Sequence, residues 1–140
     1  MGDRPTAPAQ QSLQLILARN LISTLSTPAF LVDTEGTVVF YNEPAGEVAG
    51  IRYEETGKLP LSEWRANLDL ADEADRPIPE DELPATVAVR ERRPVHATAT
   101  MRIAGAKPQR TELLALPLIG PEETHEGAVG VFWVRPDSAA

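Results

Sequence analysis

The sequence predicts an α+β domain with a five-stranded antiparallel sheet that is flanked by helices and preceded by an N-terminal amphipathic helix. Three observations support this fold class. Apolar residues recur with helical spacing over residues 11–26, a hairpin pattern follows at residues 29–42, and three strand-like segments lie between residues 95 and 134. The 140 residues allow one domain with a proper core and leave little room for a second.

The chain begins with a segment that we expect to be a loose tail, followed by a helix. Residues 1–10 hold two prolines, whereas residues 11–26 have helical periodicity and end before Pro28. The main apolar arc of this helix spans roughly 160° of its circumference, more than the ~100° that one contact face needs. The residues of this arc are Leu15, Leu17, Ala18, Leu21, Ile22 and Leu25. The helix is therefore either wedged into its own domain or shared with a partner subunit, and both interpretations stay open.

A β-hairpin and a short helix are predicted next. Strands at residues 29–33 and 37–42 are joined by a link with turn-forming residues at both ends. Asn42 then stands where a helix N-cap belongs, with Pro44 in the first turn and Gly50 at the stop.

The middle of the chain has weaker periodicity. Residues 51–78 are predicted to form short helical turns and loops, held to the core by apolar anchors. These anchors are Leu59, Leu61, Trp64, Leu68 and Leu70. A second long helix is predicted from about residue 81 to Arg93, because acids stand at its positive end, arginines stand at its negative end and Pro94 stops it.

Three strands complete the predicted sheet. Apolar and polar residues alternate strictly over residues 95–103, whereas residues 111–119 and 128–134 are apolar on both faces. A sheet that is apolar on both faces has to be covered on both. The middle helices can cover one face, and the N-terminal helix, alone or with a second copy of the protein, can cover the other. For residues 95–103 the sequence leaves open which side faces the interior.

Composition excludes several classes of function. The chain has no cysteine, so zinc–thiolate sites, iron–sulfur clusters, cysteine nucleophiles and thiol–flavin adducts are impossible. The net charge of −8 argues against a nucleic-acid binder. No apolar run approaches the roughly 20 residues of a membrane span, and the N-terminus lacks the pattern of a secretory signal. We therefore expect no membrane partner and a cytoplasmic location.

The charged residues are unevenly distributed along the chain. The acidic segment, residues 69–82, holds seven acids and one base, and the basic segment, residues 90–110, holds six bases and one acid. Two solvated faces are the simpler interpretation, and a docking surface for another chain is the alternative.

No catalytic or metal-binding motif stands out. The chain lacks a Gly-x-Ser-x-Gly elbow, a phosphate loop and a His-Glu-x-x-His pair. We expect His96 to lie on a strand surface and His125 to lie in a solvated loop. No enzyme activity and no metal site are predicted.

Several local motifs occur in a fixed order along the chain. They are residues 28–42, residues 43–50, residues 76–84, Leu116-Pro117-Leu118 and Gly127-Ala128-Val129-Gly130-Val131. In that order they resemble the opening hairpin, the first short helix, the approach to the long helix and the last two strands of a PAS domain. PAS domains are small sensor and interaction modules of bacterial signalling proteins. The resemblance covers about residues 22–135 and implies a PAS domain at residues 27–135, with a short tail at residues 136–140.

The resemblance implies a sensory, signal-transduction module that acts through protein–protein interaction and homodimerisation, with no catalysis of its own. We expect the homodimer contacts on the N-terminal helix, at Leu15, Ala18, Leu21, Ile22 and Leu25. Where the family often continues into an effector helix, this chain reads Val134-Arg135-Pro136-Asp137. Output through contact with a signalling partner is therefore expected, from either an excised sensor or a stand-alone protein.

The resemblance also implies a ligand pocket between the sheet and the middle helices, although a filled core is the simpler alternative. The candidate pocket residues are Phe30, Val32, Val39, Tyr41, Val48, Val87, Thr98, Thr100, Leu113 and Phe132. The alternative function is then a sensor that binds a small molecule or a cofactor. Non-covalent flavin is one candidate, and haem is a weaker one because the second long helix contains no histidine.

Overall fold

The computed structural model describes residues 13–103 and 107–135, and within them an antiparallel sheet lies between two layers of helix. The strands are β1 (Ala29–Val32), β2 (Thr37–Tyr41), β3 (Leu59–Pro60), β4 (Leu70–Ala71), β5 (Val95–Met101), β6 (Gln109–Ile119) and β7 (His125–Val134). They run across the sheet in the order β3-β2-β1-β7-β6-β5-β4. The helices are α1 (Leu13–Ile22), α2 (Glu43–Ala49), α3 (Tyr53–Thr56), α4 (Leu61–Ala66) and α5 (Pro84–Glu91). The predicted α+β class is confirmed.

Within the described residues the sheet has seven strands rather than the predicted five. The additional strands, β3 and β4, are two residues long and lie at opposite edges, where they pair with β2 and β5. The sequence predicted loops and helical turns here because two residues cannot display a period of two. Very short edge strands of this kind leave little backbone open to pairing with another chain.

Helix α1 ends four residues before the predicted end at Ser26. The hydroxyl groups of Ser23 and Thr24 donate hydrogen bonds to the carbonyls three residues before them, at 2.8 and 2.7 Å. Such side chains compete with backbone N–H groups for the carbonyls of the last turn and favour a helix end. The two predicted tails and the first two residues of the predicted helix lie outside the described residues.

The caps of α2 are confirmed, whereas α5 begins later than predicted. The Asn42 side chain accepts a hydrogen bond from the Ala45 N–H at 3.0 Å, and Gly50 ends α2 in the left-handed region with a φ of 76°. The acids expected in the first turn of α5 form a separate 3₁₀ turn, Glu80–Glu82, and Pro84 occupies the start of the helix.

The sheet buries apolar side chains on both faces, as its sequence requires. The inner face packs against α2, α4 and α5 through a cluster that includes Phe30, Val32, Tyr41, Leu113 and Phe132. The outer face packs against α1 through Leu15, Ala18, Ile22, Ala29, Leu31 and Val39. The two clusters share one sheet, so their positions are fixed relative to each other.

One buried polar side chain connects the two layers. Asn42 is only 2% exposed, and its amide nitrogen donates to the carbonyls of Ile22 and Thr27, each at 2.9 Å. Its amide oxygen accepts from the N–H groups of Ala29 at 3.1 Å and Ala45 at 3.0 Å. These four bonds use both donors and both lone pairs of the amide. The side chain therefore joins the end of α1, the start of β1 and the start of α2.

We expect Asn42→Ala to lower the free energy of unfolding by about 3 kcal/mol or more, because four backbone groups each lose one hydrogen bond at once. Asn67→Ala is the matched control, since that exposed amide donates to the Glu63 carbonyl at 3.0 Å and its loss should cost less than about 1 kcal/mol. Urea unfolding followed by circular dichroism measures both. Equal losses for the two variants would contradict the role assigned to Asn42.

Candidate functional site

A cavity of about 40 Å³ lies between the inner face of the sheet and helices α4 and α5. Strands β1, β6 and β7 form one wall through Phe30, Leu113 and Phe132. Helix α4 and the start of α5 form the other, where Trp64 and Arg65 carry the polar side chains of the lining. The surface of the cavity is therefore almost wholly apolar.

Aromatic rings shape the cavity wall. The centroid of the Trp64 ring lies 5.4 Å from that of Phe30 and 4.8 Å from that of Tyr41, and Phe132 lies 6.4 Å from Phe30. Tilted ring pairs at such distances contribute about 0.5–1.5 kcal/mol each beyond the area they bury. Gly130 leaves room for this packing, since a methyl group at that position would overlap the Phe30 ring.

Six of the predicted pocket residues lie on or against the inner cluster. Phe30, Leu113 and Phe132 line the cavity. Val32 and Tyr41 are buried in the same cluster without lining the cavity, and Val48 of α2 packs against it. Their side chains are thus collected in one layer, and their use as a ligand site stays a prediction.

Tyr41 joins this layer to helix α3. Its hydroxyl lies 2.6 Å from the Thr56 hydroxyl, and its ring meets Tyr53 edge-on with centroids 5.4 Å apart. Burial raises the pKa of the Tyr41 phenol, and the hydrogen bond to Thr56 partly opposes that rise. Tyr41 is therefore a buried phenol whose hydroxyl is already paired with that of Thr56.

The prediction that Val39 points inward is wrong. Val39 is buried in the outer cluster with α1. The pairing shifts at this point, since Leu31 pairs with Phe40 whereas Val32 pairs with Val38, so Val39 is the extra residue of a bulge. A bulge breaks the alternation of faces, and a count of two along the strand no longer predicts the side of the sheet.

The placement of Thr98 and Thr100 in the pocket is also wrong. Ala99 and Met101 of the same strand are buried in the inner cluster, so the threonines alternate to the outer face. There the Thr98 hydroxyl donates to the Glu112 carboxylate at 3.2 Å. Strand β5 thus turns its apolar side inward and its polar side outward.

Val87 does not face the inner cluster. Helix α5 begins at Pro84 and presents Ala85 and Ala88, with Val89 packed beside them. The later start of the helix leaves Val87 half-buried and outside this contact face. The small alanines allow α5 to approach the sheet closely.

The sequence predicted the helix wall of the cavity only as a set of anchors. Trp64 and Leu68 are buried as anchors should be, at 1% and 3% exposure, and they also line the cavity. Arg65 was missed, because a single arginine in a weakly periodic segment carries no signal of burial. Its terminal nitrogen donates to the Ile78 carbonyl at 2.5 Å, which holds the side chain against the domain.

A second set of contacts joins α1 to the helices of the inner layer around the sheet edge. The Arg19 guanidinium of α1 lies 4.5 Å from the centre of the Phe40 ring and 5.4 Å from that of Tyr53. Cation–π contacts of this kind are worth about 0.5–1 kcal/mol at exposed sites. The Tyr53 hydroxyl donates to the Val39 carbonyl at 2.9 Å. Helix α3 is thus linked both to β2 and, through Arg19, to α1.

Helix α1 carries a row of exposed leucines on the side that faces away from the sheet. Leu13, Leu17 and Leu21, which we call the α1 stripe, are 61%, 56% and 63% exposed and spaced four residues apart. The predicted interface residues divide between the two sides. Leu15, Ala18 and Ile22 are buried against the sheet of their own domain, whereas Leu21 and Leu25 are exposed. The interpretation that all five contact a partner directly is therefore wrong for the three buried residues.

Helix α1 covers only part of the outer face. It packs mainly on β1 and β7. Leu116 and Trp133, which pair with outer-face neighbours, remain 40% and 38% exposed. Beside Trp133, the Glu112 carboxylate accepts from His96 at 2.6 Å and lies 3.3 Å from the Arg135 guanidinium. An apolar patch with a charged margin is therefore left on the sheet.

The acidic and basic segments contact each other. Arg102 pairs with Asp75, and Arg110 lies 4.0 Å from Glu73. Backbone N–H groups of Arg76 and Ala74 hold the pKa of the Asp72 carboxyl below its usual range. Exposed pairs of this kind contribute little to stability, but they neutralise part of the charge asymmetry that the sequence displays.

The described part of the chain supports neither a metal site nor a membrane-spanning helix. Within residues 13–103 and 107–135, no group of three or more histidine, aspartate or glutamate side chains is placed to hold a metal ion. Over the same residues, no helix has both the length and the apolar character needed to cross a bilayer.

Comparison with known families identifies the fold. A family model described as the PAS fold matches residues 17–133, most of the chain. The chain belongs to the PAS family. PAS domains are sensory modules of signal-transduction proteins, so the family resemblance and the predicted sensor class are confirmed at that level. No curated protein matches the sequence.

Solved structures agree on this fold. The PAS domain of BvgS from Bordetella pertussis is 17% identical, with a TM-score of 0.61, and the match covers 90% of this chain and 88% of that one. The phage VqmA–DPO complex is 14% identical, with a TM-score of 0.63, covering 89% and 54%. The Rhodobacter sphaeroides LOV protein is 16% identical, with a TM-score of 0.59, covering 89% and 68%. At these identities the similarity shows the PAS fold alone.

We expect Leu113→Ala to lower the free energy of unfolding by about 3 kcal/mol, because this leucine is 7% exposed and its loss enlarges the cavity. Leu13→Ala is the control, since an exposed leucine should change stability by less than about 0.5 kcal/mol. Urea unfolding measures both. A loss for Leu113→Ala no larger than that of the control would show that this part of the inner face is not tightly packed.

Proposed function

We propose that this PAS domain works as a signal-transduction module through homodimerisation, by means of α1 and the outer face of the sheet. The α1 stripe is the observation that carries the proposal, because a domain of this size has little reason to expose three leucines on one side of a helix. The module has no catalytic role in this proposal. It acts in the cytoplasm and passes its signal to a second signalling protein.

The uncovered part of the outer face offers a place for the stripe of a second copy. Leu116 and Trp133 lie on the outer face of β6 and β7 beside α1, and they stay 40% and 38% exposed. Fully burying one leucine contributes about 1.5–3 kcal/mol, and association costs about 4–15 kcal/mol. Three leucines from each copy, together with the sheet residues, supply enough burial to offset that cost.

The contacts of α1 provide a route from the interior to this surface. Asn42 ties the end of α1 to the start of α2, and Arg19 ties α1 to the rings of Phe40 and Tyr53. A ligand or partner that prefers one arrangement of the inner helices shifts the population of α1 positions by its difference in affinity. The α1 stripe would then bind the second copy with higher affinity in one state than in the other.

Ligand sensing is the second candidate function, and the cavity limits its form. Ligand pockets for drug-sized molecules measure about 300–1,000 Å³, whereas this cavity measures about 40 Å³. That size argues against flavin and haem and favours a ligand of a few atoms. The VqmA structure was solved as a complex with DPO, which is consistent with ligand binding by this fold.

We expect the chain to be a dimer at high micromolar concentration and Leu21→Glu to make it monomeric while the domain stays folded, because a carboxylate on the α1 stripe cannot be buried against an apolar partner. Ser62→Glu is the matched control, since it adds the same charge at an exposed position of α4 and should leave the dimer intact. Sedimentation velocity with circular dichroism checks both. A wild-type chain that is monomeric at that concentration would contradict the homodimer.

A further inference from the structure

Strand β4 covers only the end of β5. It pairs with Thr100 and Met101, and the chain then turns away, because Ala71 bridges to Pro77 on its other side. Residues 95–99 of β5 therefore have β6 on one side and no described strand on the other. We call this stretch the β5 edge. Strand β4 offers little backbone of its own, but it leaves the longer β5 edge uncovered.

Backbone groups of the β5 edge point away from the sheet without a partner. Along an antiparallel strand, the N–H and C=O groups of every second residue face the same neighbouring strand. The Arg102 N–H donates to the Asp69 carbonyl at 3.0 Å on the β4 side. The backbone groups of Thr98 and His96 therefore face that side too, and no described backbone group pairs with them there. Such unpaired groups are a template for one more strand.

The side chains of the β5 edge leave room for that strand. His96 Nε2 lies 2.6 Å from the Glu112 carboxylate, and the Thr98 hydroxyl donates to the same carboxylate at 3.2 Å. Both side chains thus lean toward β6 and away from the open side. An open groove of about 310 Å³ borders Thr98 and Arg110. The space beside the unpaired groups is therefore accessible.

The opposite edge of the sheet is covered differently. Strand β3 pairs only with Thr37 and Val38 of β2. The next carbonyl, that of Val39, accepts a hydrogen bond from the Tyr53 hydroxyl at 2.9 Å. Helix α3 therefore satisfies backbone that β3 leaves unpaired, whereas none of the described helices does so at the β5 edge.

The charge at the start of β5 indicates which segment would fit. Residues 90–93 hold three arginines and one acid, and that acid contacts the first and the last of the arginines. Arg92 is exposed and has no carboxylate within ion-pair distance among the described residues. At the other end of the β5 edge, Glu73 lies 4.0 Å from Arg110, so the charges there balance. Acidic residues of a partner are therefore favoured at the Arg92 end.

We propose that an extended acidic segment of the second signalling protein adds to the β5 edge as an antiparallel strand, with its acidic residues beside Arg92. The antiparallel direction continues that of β4. Alternate side chains of the segment face Val95 and Ala97 on the inner side and His96 and Thr98 on the outer side. The inference rests on the proposed signalling role, since it names the surface that the second protein uses, and it is independent of the homodimer.

A second copy of the chain fits the β5 edge less well than a free segment does. Two β5 strands that pair antiparallel through His96 and Thr98 place Pro94 of one copy opposite Thr100 of the other. That position is already taken by Ala71 of β4. Strand β4 of each copy would therefore collide with the start of β5 in the other, whereas a free segment carries no such obstacle.

The test is a titration of the ¹⁵N-labelled full chain with acetylated and amidated hexapeptides, followed at the amide resonances of His96 and Thr98. The probe TVTVEE matches the β5 edge, because its threonines face outward, its valines face inward and its acids reach Arg92. We expect saturable downfield shifts of both amide protons, since each donates a hydrogen bond to the probe. The charge-reversed probe TVTVKK should bind at least about tenfold more weakly.

N-methylated probes distinguish backbone pairing from general attraction. The third residue of TVTVEE lies opposite His96 and donates its N–H to the His96 carbonyl, whereas the fourth residue turns its N–H away from β5. A methyl group on the third nitrogen should weaken binding about tenfold or more. A methyl group on the fourth nitrogen is the matched control and should leave the affinity within about twofold.

Three variants of the chain test the same contacts. Arg92→Asn removes the charge and keeps a residue that tolerates the backbone φ of 59°, and it should weaken TVTVEE about threefold or more. Arg52→Asn removes an exposed arginine elsewhere and should leave the affinity unchanged. Thr98→Pro removes an N–H that faces away from β6 and should abolish binding of both probes.

Equal affinity for TVTVEE and TVTVKK would overturn the acidic partner, and equal effects of the two methyl groups would overturn strand addition. No saturable shift with any probe would assign the β5 edge to water. Shifts of the His96 and Thr98 amides with protein concentration, and none with probe, would assign it to a second copy and overturn the inference as well. The wild-type titrations decide this even if a variant fails to fold. The homodimer is measured separately by sedimentation and stands or falls on that result.

Discussion

Both helical layers of this PAS domain depend on the four hydrogen bonds of the Asn42 side chain. Without them, the N–H of Ala29 would be left in the interior with no partner, and the carbonyl of Ile22 would keep only the N–H of Leu25. The same side chain caps α2, so one residue sets where α1 ends and where the inner helices begin. Asn42 therefore links the end of α1, the helix that carries the α1 stripe, to helix α2 of the inner layer.

The two faces of the sheet differ in how completely helices cover them. Its inner face packs against aromatic rings and leaves a small apolar cavity. Its outer face is half covered by α1 and leaves Leu116 and Trp133 exposed. The bulge at Val39 keeps Val38 and Tyr41 on the same inner face although they are three positions apart, and it turns Val39 to the outer face. The two faces can thus be changed by separate mutations, while Asn42 joins the helices that cover them.

Local chemistry in the sequence was enough to predict the hairpin and the Asn42 cap, because period-two spacing and capping are short-range signals. The inward position of Phe30 was predicted from the resemblance to the PAS family. Strands β3 and β4 are too short to have a period. Alternation in β5 predicted one apolar face and one polar face. It did not predict whether the alanines or Thr98 would turn inward, because that depends on which helices pack against each face of the sheet. Val39 faces away from the inner cluster because of the bulge in the pairing of β1 and β2, which the sequence does not display. Arg65 Nε is buried through tertiary contacts, which the sequence does not display either.

The coupling that Asn42 provides is tested most directly by native-state hydrogen exchange of the full chain and of Asn42→Ala, residue by residue. The account predicts that the amides of α1 exchange much faster in the variant, because the last turn of the helix loses its hydrogen bond to the Asn42 side chain. The amides of β6 and β7, whose ladder does not involve Asn42, should keep most of their relative protection. Unchanged protection in α1, or an equal loss in α1 and in β6 and β7, would contradict it.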